Sequence, residues 1–184
     1  MKYPFPLLLI CIVCLSGCNL LSKEADQETV KLLYKNGNLF CEGKRSLDSF
    51  LFGTHRNRIG TWKFYHPNGQ LETHLDYNQE GDLLNEKLYL EDGTLHVSVT
   101  YDDDIDIETE YFENGVIKKE ITTRHGEDED ELLNNVIRKT YHRNGTLKEQ
   151  NGSENGKLNG LDQIWNEEGN LILEFKYDDG LIVQ

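Results

Sequence analysis

Within the stretch from Leu71 to Tyr101, apolar and polar residues alternate along two segments, 71–77 and 95–101. Leu71, Thr73, Leu75 and Tyr77 fall on one side of an extended chain, and Glu72, His74 and Asp76 on the other. Leu95, Val97, Val99 and Tyr101 repeat this against His96, Ser98 and Thr100. A period of two held along a whole segment predicts half-buried β-strands, not helices. Short turn-forming segments of one design separate the strands. Tyr65, Tyr77 and Tyr89 each stand four residues before a glycine, at Gly69, Gly81 and Gly93, and successive segments are twelve residues apart. In His66-Pro67-Asn68-Gly69, proline presets φ, asparagine tolerates the third position, and glycine takes the left-handed one. Such a turn, closed by a glycine bulge, joins two antiparallel strands. Each period then leaves roughly eight residues for a strand.

The same beat continues at Tyr111 and Gly115, Tyr141 and Gly145, and Trp165 and Gly169. Asn36-Gly37, Asn155-Gly156 and Asp179-Gly180 add turns without the ring. Trp165 in a tyrosine position points to packing, since any large flat ring would serve. Two places depart from the pattern. Tyr101-Asp-Asp-Asp-Ile105 occupies a turn position without glycine, and an acidic run, Glu127–Glu131, lengthens the interval before Gly145. Five consecutive acids repel one another and predict a protruding, solvated loop. Leu47–Phe52 is expected to cap the sheet edge, and Leu181–Val183 to leave an open edge near the C-terminus. The predicted fold class is all-β: a repetitive antiparallel β-hairpin meander whose units bury their apolar faces by stacking on neighbours.

The run from Arg58 to Leu71, RIGTWKFYHPNGQL, resembles the MORN-variant repeat, with Trp62, Tyr65 and Gly69 at its marked positions. The resemblance extends from about residue 33 onward. It implies an elongated twisted sheet. Bacterial chains built from this repeat are often grouped as YwqK-type antitoxins, which implies an antitoxin-like or immunity-like binder of a protein partner.

The N-terminus carries a different signal. Lys2 precedes an apolar run from Leu7 to Leu15, too short for the roughly 20 residues that span a bilayer but suited to a signal peptide. Leu15-Ser16-Gly17-Cys18 resembles the bacterial lipobox, which implies cleavage and lipidation at Cys18. The expected plan is a signal peptide at 1–17, a lipidated cysteine and linker at 18–29, and the repeat domain at 30–184. A short helix over Lys23–Leu33 is the alternative for the linker's end. The lipid would tether the chain to the cell envelope, at the outer membrane in preference to the inner one.

Charge narrows the partners. Loss of residues 1–17 removes Lys2 and no acid, leaving 18 basic and 33 acidic residues. Phosphates would be repelled, so nucleic acid is not an expected partner, and a basic protein is. With 37% hydrophobic residues overall, the content suits a thin, one-sided sheet or small sandwich. Oligomeric state is left open.

Candidate chemistry is sparse. Asp102, Asp104, Asp106, Glu108 and Glu110 share a parity, so on one strand they form a face that a basic partner could contact. The first three, with Glu113, also mimic EF-hand spacing, but Ile107 stands where that loop needs glycine. The six histidines lack the spacing of a zinc site. Cys41 is the one thiol left in the repeat domain and reads as a packed strand residue. No G-x-S-x-G elbow or phosphate-cradling glycine loop occurs. The expectation is a non-enzymatic binder without metal or cofactor. The alternative is an envelope structural or glycan-binding lipoprotein, with Tyr65, Tyr89, Tyr141 and Trp165 stacking on sugars.

Overall fold

A computed structural model describes residues 26–50, 53–125 and 135–183. The described residues contain strands and turns and no helix, and every paired strand is antiparallel to its neighbour. They form two compact units, one running to Leu84 with residues 91–93, the other holding 85–90 and 94 onward.

The first unit contains β1 (Asp26–Leu33), β2 (Leu39–Phe50), β3 (Gly53–His55), β4 (Arg58–Tyr65) and β5 (Leu71–Tyr77). β2 pairs with β1 and β4, and β4 pairs with β5. Residues 26–29, expected in a linker, lie in β1, and the alternative helix over Lys23–Leu33 is absent from Asp26 onward. The reason is period two: Val30 is buried and Leu32 packs beside it on the same face. Of the cap expected at Leu47–Phe52, Leu51 and Phe52 lie outside the described residues, and the edge strand of this unit is β1. β2 runs on to Phe50 and folds back on β3.

One face of this unit holds the core: Val30, Cys41, Trp62 and Leu75, with Leu32, Phe40, Phe64, Tyr77 and Leu83 against them. Trp62, at 2% exposure, anchors it. Its ring lies over Gly43, where a Cβ would stand 2.5 Å from Cε2 and 2.6 Å from Cγ. Its Nε1–H donates to the Lys44 carbonyl at 2.8 Å. The guanidinium of Arg58 lies 4.9 Å from the ring centroid. The β2–β4 register shifts between Glu42 and Lys44, at the glycine the ring covers.

The second unit contains β6 (Leu83–Tyr89), whose first two residues belong to the first unit, then β7 (Leu95–Thr100), β8 (Ile105–Tyr111), β9 (Ile117–Arg124) and β10 (Asn135–Tyr141). β11 (Leu147–Glu154), β12 (Lys157–Leu158), β13 (Gly160–Trp165), β14 (Leu171–Asp178) and β15 (Leu181–Ile182) complete it. From β7 to β10 each strand bonds to those before and after it in the chain, β11 pairs with β10, β12 and β13, and β14 pairs with β13 and β15. The one-sided core expected of the whole chain does not extend here. No apolar residue described in this unit is buried, and Ile107, Ile137, Leu161 and Ile172 are exposed. Cross-strand pairs of long polar side chains cover the sheet instead, such as Lys139 with Glu120 at 3.2 Å. The expected open edge is present at β15, which pairs with β14 alone.

Candidate functional site

The predicted turn glycines all lie at chain reversals, and the structure sorts them into two kinds. A meander places successive reversals at alternate ends of its strands. In the second unit, residues 112–116, 142–146 and 166–170 share one end and are built alike. Gly115, Gly145 and Gly169 have φ near +80° (79, 88 and 84) and donate N–H to Phe112, His142 and Asn166. The first unit has the same turn at Gly37 and Gly69. At Gly93, also left-handed, the Leu90 N–H donates to Thr94. Gly81 departs from this design: its N–H donates to the Asn78 side chain, not to a main-chain carbonyl.

Asparagine does more in these turns than tolerate a backbone angle. The Asn144 Oδ1 accepts from the Thr146 N–H at 2.9 Å, while its Nδ2 donates to the Glu167 carbonyl of the next regular turn at 3.0 Å. Asn68 does the same with Gln70 and Glu91, and Asn114 with Val116 and Arg143. Each such side chain closes its own turn and ties it to a neighbour.

The connections described at the opposite end of the second unit are of two kinds. The β7–β8 connection, 101–104, has no glycine and exposes Asp102, Asp103 and Asp104. Its main chain is pinned where the Asp104 carbonyl accepts from the His125 N–H at 2.9 Å. Asn155-Gly156 and Asp179-Gly180 turn with two left-handed residues each. They lie side by side: Gly180 N–H donates to Leu158, and the Lys157 Nζ meets Asp179 at 2.6 Å. The expected acidic loop, Glu127–Glu131, lies outside the described residues, between the paired ends Arg124 and Asn135.

The proposed acidic face divides. Asp106, Glu108 and Glu110 share a face of β8, but Asp102 and Asp104 precede the strand and do not continue it. The three strand acids also have partners within the chain. Asp106 meets His125 at 2.9 Å, Glu108 meets Lys119 at 3.5 Å, and Glu110 meets Lys118 at 2.6 Å. The Lys118 hydrogen bond lowers the Glu110 pKa. Val97 and Val99 lie opposite Glu110 and Glu108, so this face is mixed and not purely acidic. Sequence parity could not show the basic residues that β9 brings across.

The repeated rings sit half-buried: Tyr65, Tyr77, Tyr89, Tyr111, Tyr141 and Trp165. The Tyr65 hydroxyl donates to Glu42 at 2.9 Å, and Tyr101 donates to Glu86 at 3.3 Å. Burial, then these carboxylates, raise both phenol pKa values. Cys41 is buried against β1 and β4, and burial raises its thiol pKa. A cleft of about 270 Å³ beside β10 and β11 is lined by Val136, Ile137, Gly152, Ser153 and Glu154. Its carboxylate, Glu154, already accepts from Asn159, and Ser153 accepts from Arg138. Among the described residues no group of His, Cys, Asp and Glu is placed to hold a metal ion, and no helix is long and apolar enough to cross a membrane. Cys18 lies outside the described residues.

Two segments match the family model of the MORN repeat variant, residues 58–79 and 107–125. Each match spans one hairpin with a regular glycine turn, β4–β5 and β8–β9. The chain thus carries MORN-variant repeats, and the repeat is a hairpin of two strands. No curated protein matches the chain.

Proposed function

We propose that this chain is a membrane-tethered, non-enzymatic repeat protein that binds a basic protein partner in the manner of an antitoxin or immunity protein. Lipid at Cys18 would supply the tether. The observation that carries the reading is the contrast between the two ends of the second unit. One end repeats a single hydrogen-bonded turn, while the other varies in length and sequence and exposes three carboxylates without in-chain partners, Asp102, Asp103 and Asp104. A rigid scaffold presenting irregular loops is a common plan for recognition surfaces. The excess of acid over base in the whole chain favours a basic partner.

The test is capture from envelope extracts on immobilised protein at low and raised salt. A basic protein should be recovered at low salt, and lost both at raised salt and with the triple change Asp102→Asn, Asp103→Asn, Asp104→Asn. Replacing Asp106, Glu108 and Glu110 by their amides should matter less, because those acids are already engaged by His125, Lys119 and Lys118. Recovery unchanged by the first triple would remove this end from the interface.

A further inference from the structure

Seven Asn-Gly pairs occur in this chain. Asparagine before glycine is open to self-deamidation, because without a Cβ in the way the next backbone nitrogen can reach Asn Cγ. Two features oppose the reaction: hydrogen bonds that hold the amide away from that nitrogen, and prior use of the nitrogen's own proton.

The regular turns have both. Asn68, Asn114 and Asn144 are bonded through Oδ1 and Nδ2, and Gly69, Gly115 and Gly145 each donate N–H across the turn. Asn36 shares the Oδ1 bond and the glycine bond. Asn151 donates from within β11 to Glu149, and Asn159 donates to Glu154. Asn155 stands apart. It is exposed at φ 51°, and a Cβ on Gly156 would meet no atom within 4 Å. Neither its side chain nor the Gly156 N–H takes part in the bonds that hold the other turns.

We propose that Asn155 is a deamidation site of the folded protein, while the Asn-Gly pairs of the regular turns are protected by the fold. The Gly156 nitrogen gives its proton to solvent base and forms a bond to Asn155 Cγ. The Cγ–Nδ2 bond breaks, and Nδ2 leaves as ammonia with a proton from water. Water then opens the five-membered imide at either carbonyl, yielding aspartate or isoaspartate. No oxidant or reductant is involved. The product adds a carboxylate beside Glu154, at the irregular end of the unit, and in the isoaspartyl form lengthens the main chain by one carbon within a two-residue turn.

The folded protein is aged at mildly alkaline pH and mapped by peptide mass, with isoaspartyl peptides separated chromatographically. Asn155 should convert on the order of tenfold faster than Asn68, Asn114 and Asn144, about what one or two retained hydrogen bonds provide. In concentrated urea the rates should converge. Conversion of Asn155 no faster than those three in the folded protein would overturn the proposal. So would a ranking unchanged in urea, since it would then come from neighbouring residues and not from the fold.

Discussion

Gly43→Ala tests the core of the first unit with one methyl group. Gly43 does not have a positive φ, so alanine brings no conformational penalty of the left-handed kind. Its cost arises from Trp62. The new Cβ would stand 2.5 Å from the ring's Cε2, where carbon atoms normally rest about 3.5–4.0 Å apart. The ring must move by about 1 Å, yet it is held by its bond to Lys44 and by Arg58. Overpacking of this kind costs about 1–3 kcal/mol, and the rigidity of the indole puts the expectation near the upper end. Trp62→Ala should cost about 3–5 kcal/mol by itself. The decisive measurement is the double-mutant cycle. With Trp62 already alanine, Gly43→Ala should cost well under 1 kcal/mol, because the methyl then enters vacated space. Urea unfolding followed by far-ultraviolet circular dichroism reads all four proteins, including the variants without Trp62. Equal cost of Gly43→Ala in both backgrounds would refute the argument, since the penalty would then owe nothing to the ring.

The turn chemistry and one ion pair yield further expectations. Gly69→Ala should destabilise by about 1 kcal/mol or more through its φ of +89°, and Asn68→Ala by about 1 kcal/mol through lost hydrogen bonds. Urea midpoints check both, and a neutral Asn68→Ala would mean that the tie to Glu91 contributes nothing. The Glu42 carboxyl is held below its usual range by hydrogen bonds from Lys31 and then Tyr65. A depressed pKa gives stability that is present above the unfolded value of about 4.3 and is lost as pH falls through the folded one. Glu42→Gln should therefore flatten the acid limb of stability below about pH 4.3, and an unchanged limb would show that the pair is fully screened.

The features legible in the sequence were those encoded locally. Alternation at Leu71–Tyr77 gave β5, and His66-Pro67-Asn68-Gly69 gave a turn, because a strand face and a reversal each depend on a few adjacent residues. Features that depend on the neighbouring strand were not legible. Gly43 looks like any strand glycine until β4 lays Trp62 across it. Asp106, Glu108 and Glu110 read as a free acidic face until β9 supplies Lys119 and Lys118, and the residue after it, His125, meets Asp106. The segments ending at Gly69 and Gly81 look equivalent, yet they lie at opposite ends of β5 and are closed by different acceptors. A signal for the asparagine ties did exist: Asn68 and Asn144 each stand 23 residues before the carbonyl they bond.

Strand order within each unit has a consequence for how the chain acquires its shape. Because β7 through β11 pair only in the order in which they are synthesised, no distant segments need to find one another before structure can grow. Ordering can begin at any hairpin and spread outward one strand at a time, so the entropy of closing long loops is avoided. Evolution could lengthen or shorten such a ribbon two strands at a time, leaving the alternation of its ends intact.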